Sequence, residues 1–427
     1  MQLIARMAIL AFVFTIPWEN MIVIPGFGTI SKLTGIVAFS LGFVAFLLQP
    51  QLRNFKAFHV LFLSFVMYSA ISYVWTVDNE LSLDRIRSNF QLVLFVWLIW
   101  QFLETERHVL QAIQFYVLGS VVGAVATLVA YLAGVQSSYM RYSAEGFDPN
   151  ELSVFLAIAI PMAWYLSMRH QTVWLVWLNR LLIAALLIAI LLTGSRTGLV
   201  VACVGITFIL ITMSRGSTGA KISVGLLLIV GAIALPQVIP ESTWARLATL
   251  EEELASGTLN NRTNIWSAGL SIWLNNLAFG VGAGAFRTAT HINHGFVAAP
   301  HNTFLSILVE LGAVGFMLFG AIMYVVWKKI SEMPYLERWL YLSTCIILML
   351  GLFTLTWETK KPLWLLGSLI LCHAMALVEP YTQLPDEKSD ISVSETPSRL
   401  LQLKNKHNLL SSKPRQLYFA DAKKSKL

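Results

Sequence analysis

Charge is scarce in this sequence. Only 12% of its 427 residues are Asp, Glu, Lys or Arg, against roughly a quarter in a soluble domain, which excludes a water-soluble globular chain. Cysteine is nearly absent as well. Cys203, Cys345 and Cys372 each lie in an apolar run, with no C-x-x-C spacing and no partner histidines. That excludes a disulfide framework and a cysteine-based metal site, and leaves them as small core residues. Nor is there a large basic excess. The formal charge of +7 is small for the length and sits partly in the C-terminal tail, so no nucleic-acid partner is expected. No small-x-small cleavage site precedes Trp18-Glu19-Asn20. The apolar stretch that follows Arg6 is therefore expected to be a retained first helix, not a removed signal peptide.

What the chain does have is apolar length. Hydrophobic residues make up 56% of it and its mean hydropathy is +0.67. About twelve segments are suited to crossing roughly 30 Å of hydrocarbon. They lie at 3–17, 30–48, 57–75, 89–103, 109–134, 150–168, 178–194, 197–213, 221–239, 302–327, 338–356 and 362–379. The expected fold is all-α, with a polytopic membrane domain over 1–379 interrupted by one long loop at about 240–300. A polar, Ser/Lys-rich tail at 380–427 is expected to be cytoplasmic and disordered.

Lysines and arginines favour a cytoplasmic N-terminus, with Arg6, Arg53, Lys56, Arg169, Lys328 and Lys329 among the inner positions. The bias is weak because Arg85, Arg87, Arg141, Arg196, Arg262 and Arg287 fall on the outer side. Outward arginines run against the positive-inside pattern and fit an anion-binding face. For Arg85 and Arg87 the plainer reading, pairing with Asp78, Glu80 and Asp84, stands beside it.

In the long loop, 241–256 reads as a solvated polar helix. Residues 263–275 read as an amphipathic helix whose Trp266, Leu270 and Trp273 form an interfacial face lying flat on the outer leaflet. Gly280, Gly282 and Gly284 follow without a surrounding βαβ unit, which predicts a turn with close backbone approach and not a nucleotide loop.

The residues able to carry chemistry gather at the outer side. Arg196 stands in the turn Thr193-Gly194-Ser195-Arg196-Thr197-Gly198. It can snorkel to lipid phosphate or grip a pyrophosphate bidentately, which lysine does poorly. Arg262 opens the loop helix, where Trp266 would hold it near the level of Arg196 and make a two-arginine phosphate clamp. Arg287, Arg141 and Asn302 are substrate-binding candidates, and Arg246 is a weaker one.

His301, at the mouth of the apolar run that follows Pro300, can serve as a general base, because a helix N-terminus disfavours imidazolium and keeps the ring neutral. It can also simply cap the helix. Glu310, inside that helix, reads as structural or supporting. Asp148-Pro149-Asn150-Glu151 reads as a helix start with Asp148 as N-cap. His291 and His294 lack further ligands, so no metal is expected.

Taken in order, Gly194-Ser195-Arg196-Thr197-Gly198, Arg262-Thr263-Asn264-Ile265-Trp266, Phe279-Gly280-Val281-Gly282 and His301-Asn302-Thr303-Phe304-Leu305 with Glu310-Leu311-Gly312 and Gly315 resemble the O-antigen ligase and O-antigen polymerase family of bacterial envelope proteins. The resemblance is close over about 140–330. It implies cofactor-free, metal-independent glycosyl transfer at the periplasmic face of the inner membrane, within surface polysaccharide biosynthesis. The donor would be an undecaprenyl-diphosphate-linked glycan, and the acceptor a hydroxyl of lipid A-core or of a growing glycan chain. By the same resemblance Arg196 and Arg262 bind the diphosphate and His301 activates or orients the acceptor hydroxyl. The alternative is a multi-pass transporter of a small anion or polysaccharide precursor, which should place its ionisable groups near the bilayer midplane.

Overall fold

The computed structural model describes residues 1–137, 141–216 and 262–382, with isolated residues between 218 and 244. Helix α1 (Gln2–Thr15) runs into a 3-10 turn and a two-residue hairpin, Val23–Ile24 against Gly28–Thr29. There follow α2 (Ile30–Leu48), α3 (Ala57–Ile71), α4 (Asn79–Phe102), α5 (Glu106–Leu132), α6 (Pro149–Arg169), α7 (Val173–Leu192) and α8 (Arg196–Thr212). Two short helices, α9 (Arg262–Leu274) and α10 (Phe286–His294), precede the long α11 (Thr303–Ser331), α12 (Tyr335–Thr354) and α13 (Lys361–Thr382). Met1–Leu377 form one compact unit and Val378–Leu427 a second, from which only the last turn of α13 is described.

The all-α polytopic class holds. Among the described residues ten helices are long and apolar enough to span a bilayer. Two differences from the expected twelve have separate causes. The segment at 89–103 lies in α4, which starts ten residues earlier with charged turns carrying Glu80, Asp84, Arg85 and Arg87 and is not among the ten. Apart from those isolated residues, the segment at 221–239 and the helix expected at 241–256, with Arg246, lie outside the described residues, as does the tail beyond 382.

Helix α6 is the centre of the bundle. It is apolar on every side, the pattern of a helix with no solvent face, and 89% of its most apolar window is buried against 22% for α2. Asp148 caps it as expected, accepting from the N–H groups of Asn150 and Glu151 at 2.8 and 3.2 Å. Helix α8 approaches α6 closely because Gly198 and Gly205 face it. A Cβ at these positions would sit 2.6 Å from Ser153 and 3.0 Å from Ile160, the small-residue contact common between membrane helices.

The N-terminal ends of α4, α6, α8, α11 and α13 share one end of the bundle with α9 and α10. Arg85 of α4 bridges Glu310 of α11 and Glu358 ahead of α13, Lys360 pairs with Glu151 of α6, and Ser195 at the start of α8 bonds Asn150 of α6. Thr288 of α10 donates to Asp78, and Trp266 of α9 donates to the carbonyl of Pro300. Over that end sits a second small core of Ile265, Ile272, Val281, Phe286, Leu305 and Val309.

Helix α11 is not the continuous span expected. Gly312 breaks it with φ 65° and ψ −165°. The freed backbone groups are taken up by the glycine turn, as a break in a membrane helix requires. The carbonyls of Val309 and Glu310 accept from the N–H groups of Val281 and Gly282 at 3.0 and 2.9 Å, while Ala313 and Val314 donate to the carbonyls of Leu277 and Ala278. Tyr68 adds a bond from its hydroxyl to the carbonyl of Leu311. The close backbone approach expected of this turn is present. A Cβ on Gly280 would lie 2.5 Å from the Glu310 carbonyl, and one on Gly312 2.3 Å from that of Ala278.

Candidate functional site

The packing of α9 positions the site. Its buried stripe is Ile265, Ala268, Gly269 and Ile272, an i, i+3, i+4, i+7 set that docks against α10 and α11. The expected interfacial face of Trp266, Leu270 and Trp273 lies beside this stripe. Leu270 is exposed, and the two half-buried indoles tie down neighbouring chain. Trp266 donates to the carbonyl of Pro300 at 3.0 Å and Trp273 to that of Leu277 at 3.2 Å. Arg262 lies one helical turn before Trp266 and so reaches the segment bearing His301.

His301 has φ 45°, and it is the one described non-glycine residue in left-handed backbone space. Such a conformation persists only where surrounding structure dictates it, and it clusters at functional sites. Here Trp266 holds the preceding carbonyl. The next residue, Asn302, caps α11, its side-chain oxygen accepting from Leu305 N–H at 3.0 Å. Thr303 then accepts from Trp357 N–H and donates to the Leu355 carbonyl, pinning the α12–α13 loop to the same point.

The electrostatics of His301 reveal its neighbours. Its pKa lies below the ordinary value of 6.5, first because burial disfavours the cation and then because Arg262 and, more weakly, Arg287 repel it; Asp148 acts in the opposite sense. Arg262 is itself held down by burial and supported by Asp148, and as a guanidinium it stays cationic. Three of the expected residues, His301, Arg262 and Arg287, thus share one electrostatic neighbourhood with Asp148, a residue read from sequence only as a helix cap.

Arg196 enters through the α6–α8 contact. It is the first residue of α8 and is half-buried. Its N-cap, Ser195, bonds Gly198 N–H at 3.0 Å and Asn150 Oδ1 at 2.9 Å. Asn150 is two residues from Asp148, so the turn carrying Arg196 is fastened beside the carboxylate that faces Arg262 and His301. Arg141 is buried and fastens the same place, with Nε on the Thr193 carbonyl and an NH2 nitrogen on Asn150 Oδ1, both at 2.8 Å.

A second charged cluster lies under the glycine turn. Arg85 bridges Glu358 and Glu310, the latter at 3.6 Å. Glu310 Oε2 accepts from Gly284 N–H at 2.7 Å, and Ser306 donates to Glu358 at 3.1 Å. Of the pairings expected for the α4 arginines, Arg87 does pair with Asp84 at 3.1 Å. Arg85 turns inward instead, and Asp78 accepts from Thr288 of α10 at 2.6 Å, an arrangement that pairwise proximity in sequence does not reveal. Among the described residues no group of three metal-ligating side chains occurs.

No curated protein matches the chain. The model of a family described as O-antigen ligase matches residues 181–320, an interval containing Arg196, Arg262, Arg287, His301 and Glu310. The likeness read from the ordered motifs is to this O-antigen ligase family, and the match supports a multi-pass membrane protein that processes glycans.

Proposed function

We propose that this protein is a metal-independent glycosyltransferase of the ligase or polymerase kind, working at the periplasmic face of the bacterial inner membrane. In this reading the donor is a glycan on undecaprenyl diphosphate and the acceptor is a hydroxyl of lipid A-core or of another glycan chain. The observation that carries it is the grouping of His301, Arg262 and Asp148 at the bundle end where Trp266 ties α9 to Pro300, beside the turn that bears Arg196.

The chemistry follows from these groups. The acceptor oxygen attacks the anomeric carbon, the bond from that carbon to the phosphate oxygen breaks, and the lipid diphosphate departs with its electron pair. Arg196 and Arg262 stabilise the negative charge as it develops, where fixed cations act most strongly. Neutral His301 takes the acceptor proton, and Asp148 offsets the charge of the imidazolium that results. Arg287 and Asn302 line the approach to His301. Buried Arg141 acts by holding the turn that presents Arg196. The helix N-termini at this end add partial positive charge of the same sense.

A transporter fits the placement less well, since its ionisable groups belong near the midplane, whereas these lie at helix ends. The test is incubation of the protein in liposomes with a lipid-diphosphate-linked repeat unit, with and without a lipid A-core acceptor. Longer glycans from the donor alone identify a polymerase, and product only with the acceptor identifies a ligase. Transfer in neither condition, together with exchange of a small anion across the same liposomes, would replace the reading by the transporter.

A further inference from the structure

Basic residues also collect at the bundle end opposite His301. Helix α6 starts near His301 at its cap, Asp148, and reaches the far end at Arg169, about 30 Å away for its 21 residues. There Arg169 pairs with Glu106 at the start of α5 and lies 4.0 Å from Glu337. Other cations of this end are engaged too. Arg53 donates to the carbonyls of Trp100 and Leu103 and stacks on the Trp100 ring, and Lys329 pairs with Glu332.

Arg6 of α1 differs from these. Its guanidinium meets the ring of His108, in the first turn of α5, and the charges acting on His108 are those of Arg6 and of exposed Arg107. Among the described residues neither arginine forms an ion pair, since neighbouring Glu106 belongs to Arg169 and Glu104 is exposed. A guanidinium only donates, so His108 accepts at Nε2 and carries its hydrogen on Nδ1. That Nδ1 and the Nε of Arg6 are both buried donors without an acceptor, which is costly. An anion relieves this cost and the mutual repulsion of the two arginines. Both side chains are half-buried, so a turn of either toward the surface brings its donor to an anion without breaking an ion pair.

The apolar surroundings select the kind of anion. Leu3, Ile4 and Met7 of α1 and Leu47 and Leu48 at the end of α2 are each at least half exposed, and Gln2 and Gln49 join those two helix ends. Acyl chains cover such a surface, whereas a free phosphate or an acidic peptide leaves it bare.

We infer that Arg6, Arg107 and His108 form a binding site for an anionic phospholipid of the leaflet at this end. The headgroup phosphate accepts from the two guanidiniums and the imidazole, the charge-assisted bonds that hold phosphate most strongly, and the acyl chains run along Leu3, Met7 and Leu47. Basic pockets between membrane helices hold headgroups in this way. The site goes beyond the glycosyltransferase reading and does not depend on it.

Native mass spectrometry of the full chain released from detergent micelles resolves lipids bound one at a time, with dioleoyl phosphatidylglycerol and dioleoyl phosphatidylcholine as paired probes. The first phosphatidylglycerol should bind roughly tenfold or more tighter than the first phosphatidylcholine, and Arg6→Gln and Arg107→Gln should each cut that preference about fivefold. Lys328→Gln, at an exposed lysine of the same end, should leave it unchanged. Arg107 is exposed and unpaired, so its variant keeps the test decisive if Arg6→Gln fails to fold. Equal affinity for the two lipids, or a preference lost as fully in Lys328→Gln as in the other variants, overturns the site. So does displacement of the lipid by inorganic phosphate or by a polyglutamate peptide at equal concentration, which would assign the cluster to a soluble anion or to an acidic protein.

Discussion

The indole of Trp266 donates to the carbonyl of Pro300 at 3.0 Å, joining the helix that begins at Arg262 to the backbone just ahead of His301. Trp266→Phe keeps the ring in the partly buried slot but removes that bond. The stability cost should be about 1 kcal/mol, whereas transfer should fall on the order of tenfold, because a displacement of about 1 Å at a reacting group is that damaging or worse. Thermal unfolding and steady-state rates on the same preparation check both halves.

The pH dependence of transfer should follow His301. In the proposed reaction its neutral form is the base, so kcat/KM should be retained above its pKa and lost as pH falls through it. Burial, Arg262 and Arg287 hold that pKa below 6.5. Replacing Arg287 by Gln removes a lowering influence and should move the acidic limb to higher pH. Asp148→Asn removes the raising influence and should move it to lower pH. Opposite shifts in the two profiles are the outcome to look for.

Gly280 lies against the backbone of Glu310 and Gly312, and Gly312 against that of Ala278 and Phe279. Adding a methyl group at either position forces overlap with main-chain atoms at 2.3–2.6 Å in a positive-φ conformation, and main chain held by four hydrogen bonds cannot easily give way. Gly280→Ala and Gly312→Ala should each cost about 1–3 kcal/mol or more. Gly320→Ala, with nothing within 4 Å of the added carbon, should be close to neutral. Melting temperatures in detergent decide the comparison.

The two arginines proposed to bind the diphosphate should not tolerate lysine. A lysine supplies the charge without the bidentate fork, so Arg196→Lys and Arg262→Lys should lower kcat on the order of 10²-fold, the scale seen when one stabilising donor is lost. The donor's KM should change less. Single-turnover rates with a lipid-diphosphate donor measure this.

Much of the fold was legible because apolar length and caps are local properties. The Asp148 cap, helix α9 and the glycine turn all fall where the residues place them. The break at Gly312 was not legible, since a glycine inside an apolar run becomes a break only when another segment, here 277–282, supplies the missing hydrogen bonds. Helix α10 was hidden for a similar reason. Its apolar contacts are few, and Phe286 and Ala289 acquire their meaning from Ile265 and Val309 of distant segments. At the site, the arginines and His301 are proposed from their chemistry at a membrane mouth. The place of Asp148 beside Arg262 and His301 was hidden behind a complete capping motif, and the inward turn of Arg85 depended on Glu310 and Glu358, more than 200 residues away.

The central claim is that neutral His301 takes a proton during glycosyl transfer. His301→Asn tests it most directly, because asparagine tolerates the left-handed backbone and should preserve the fold while removing the base. With matched unfolding temperatures, donor consumption in proteoliposomes should fall by 10²-fold or more, the scale of general base catalysis. A folded His301→Asn protein that transfers glycan at the wild-type rate would contradict the account.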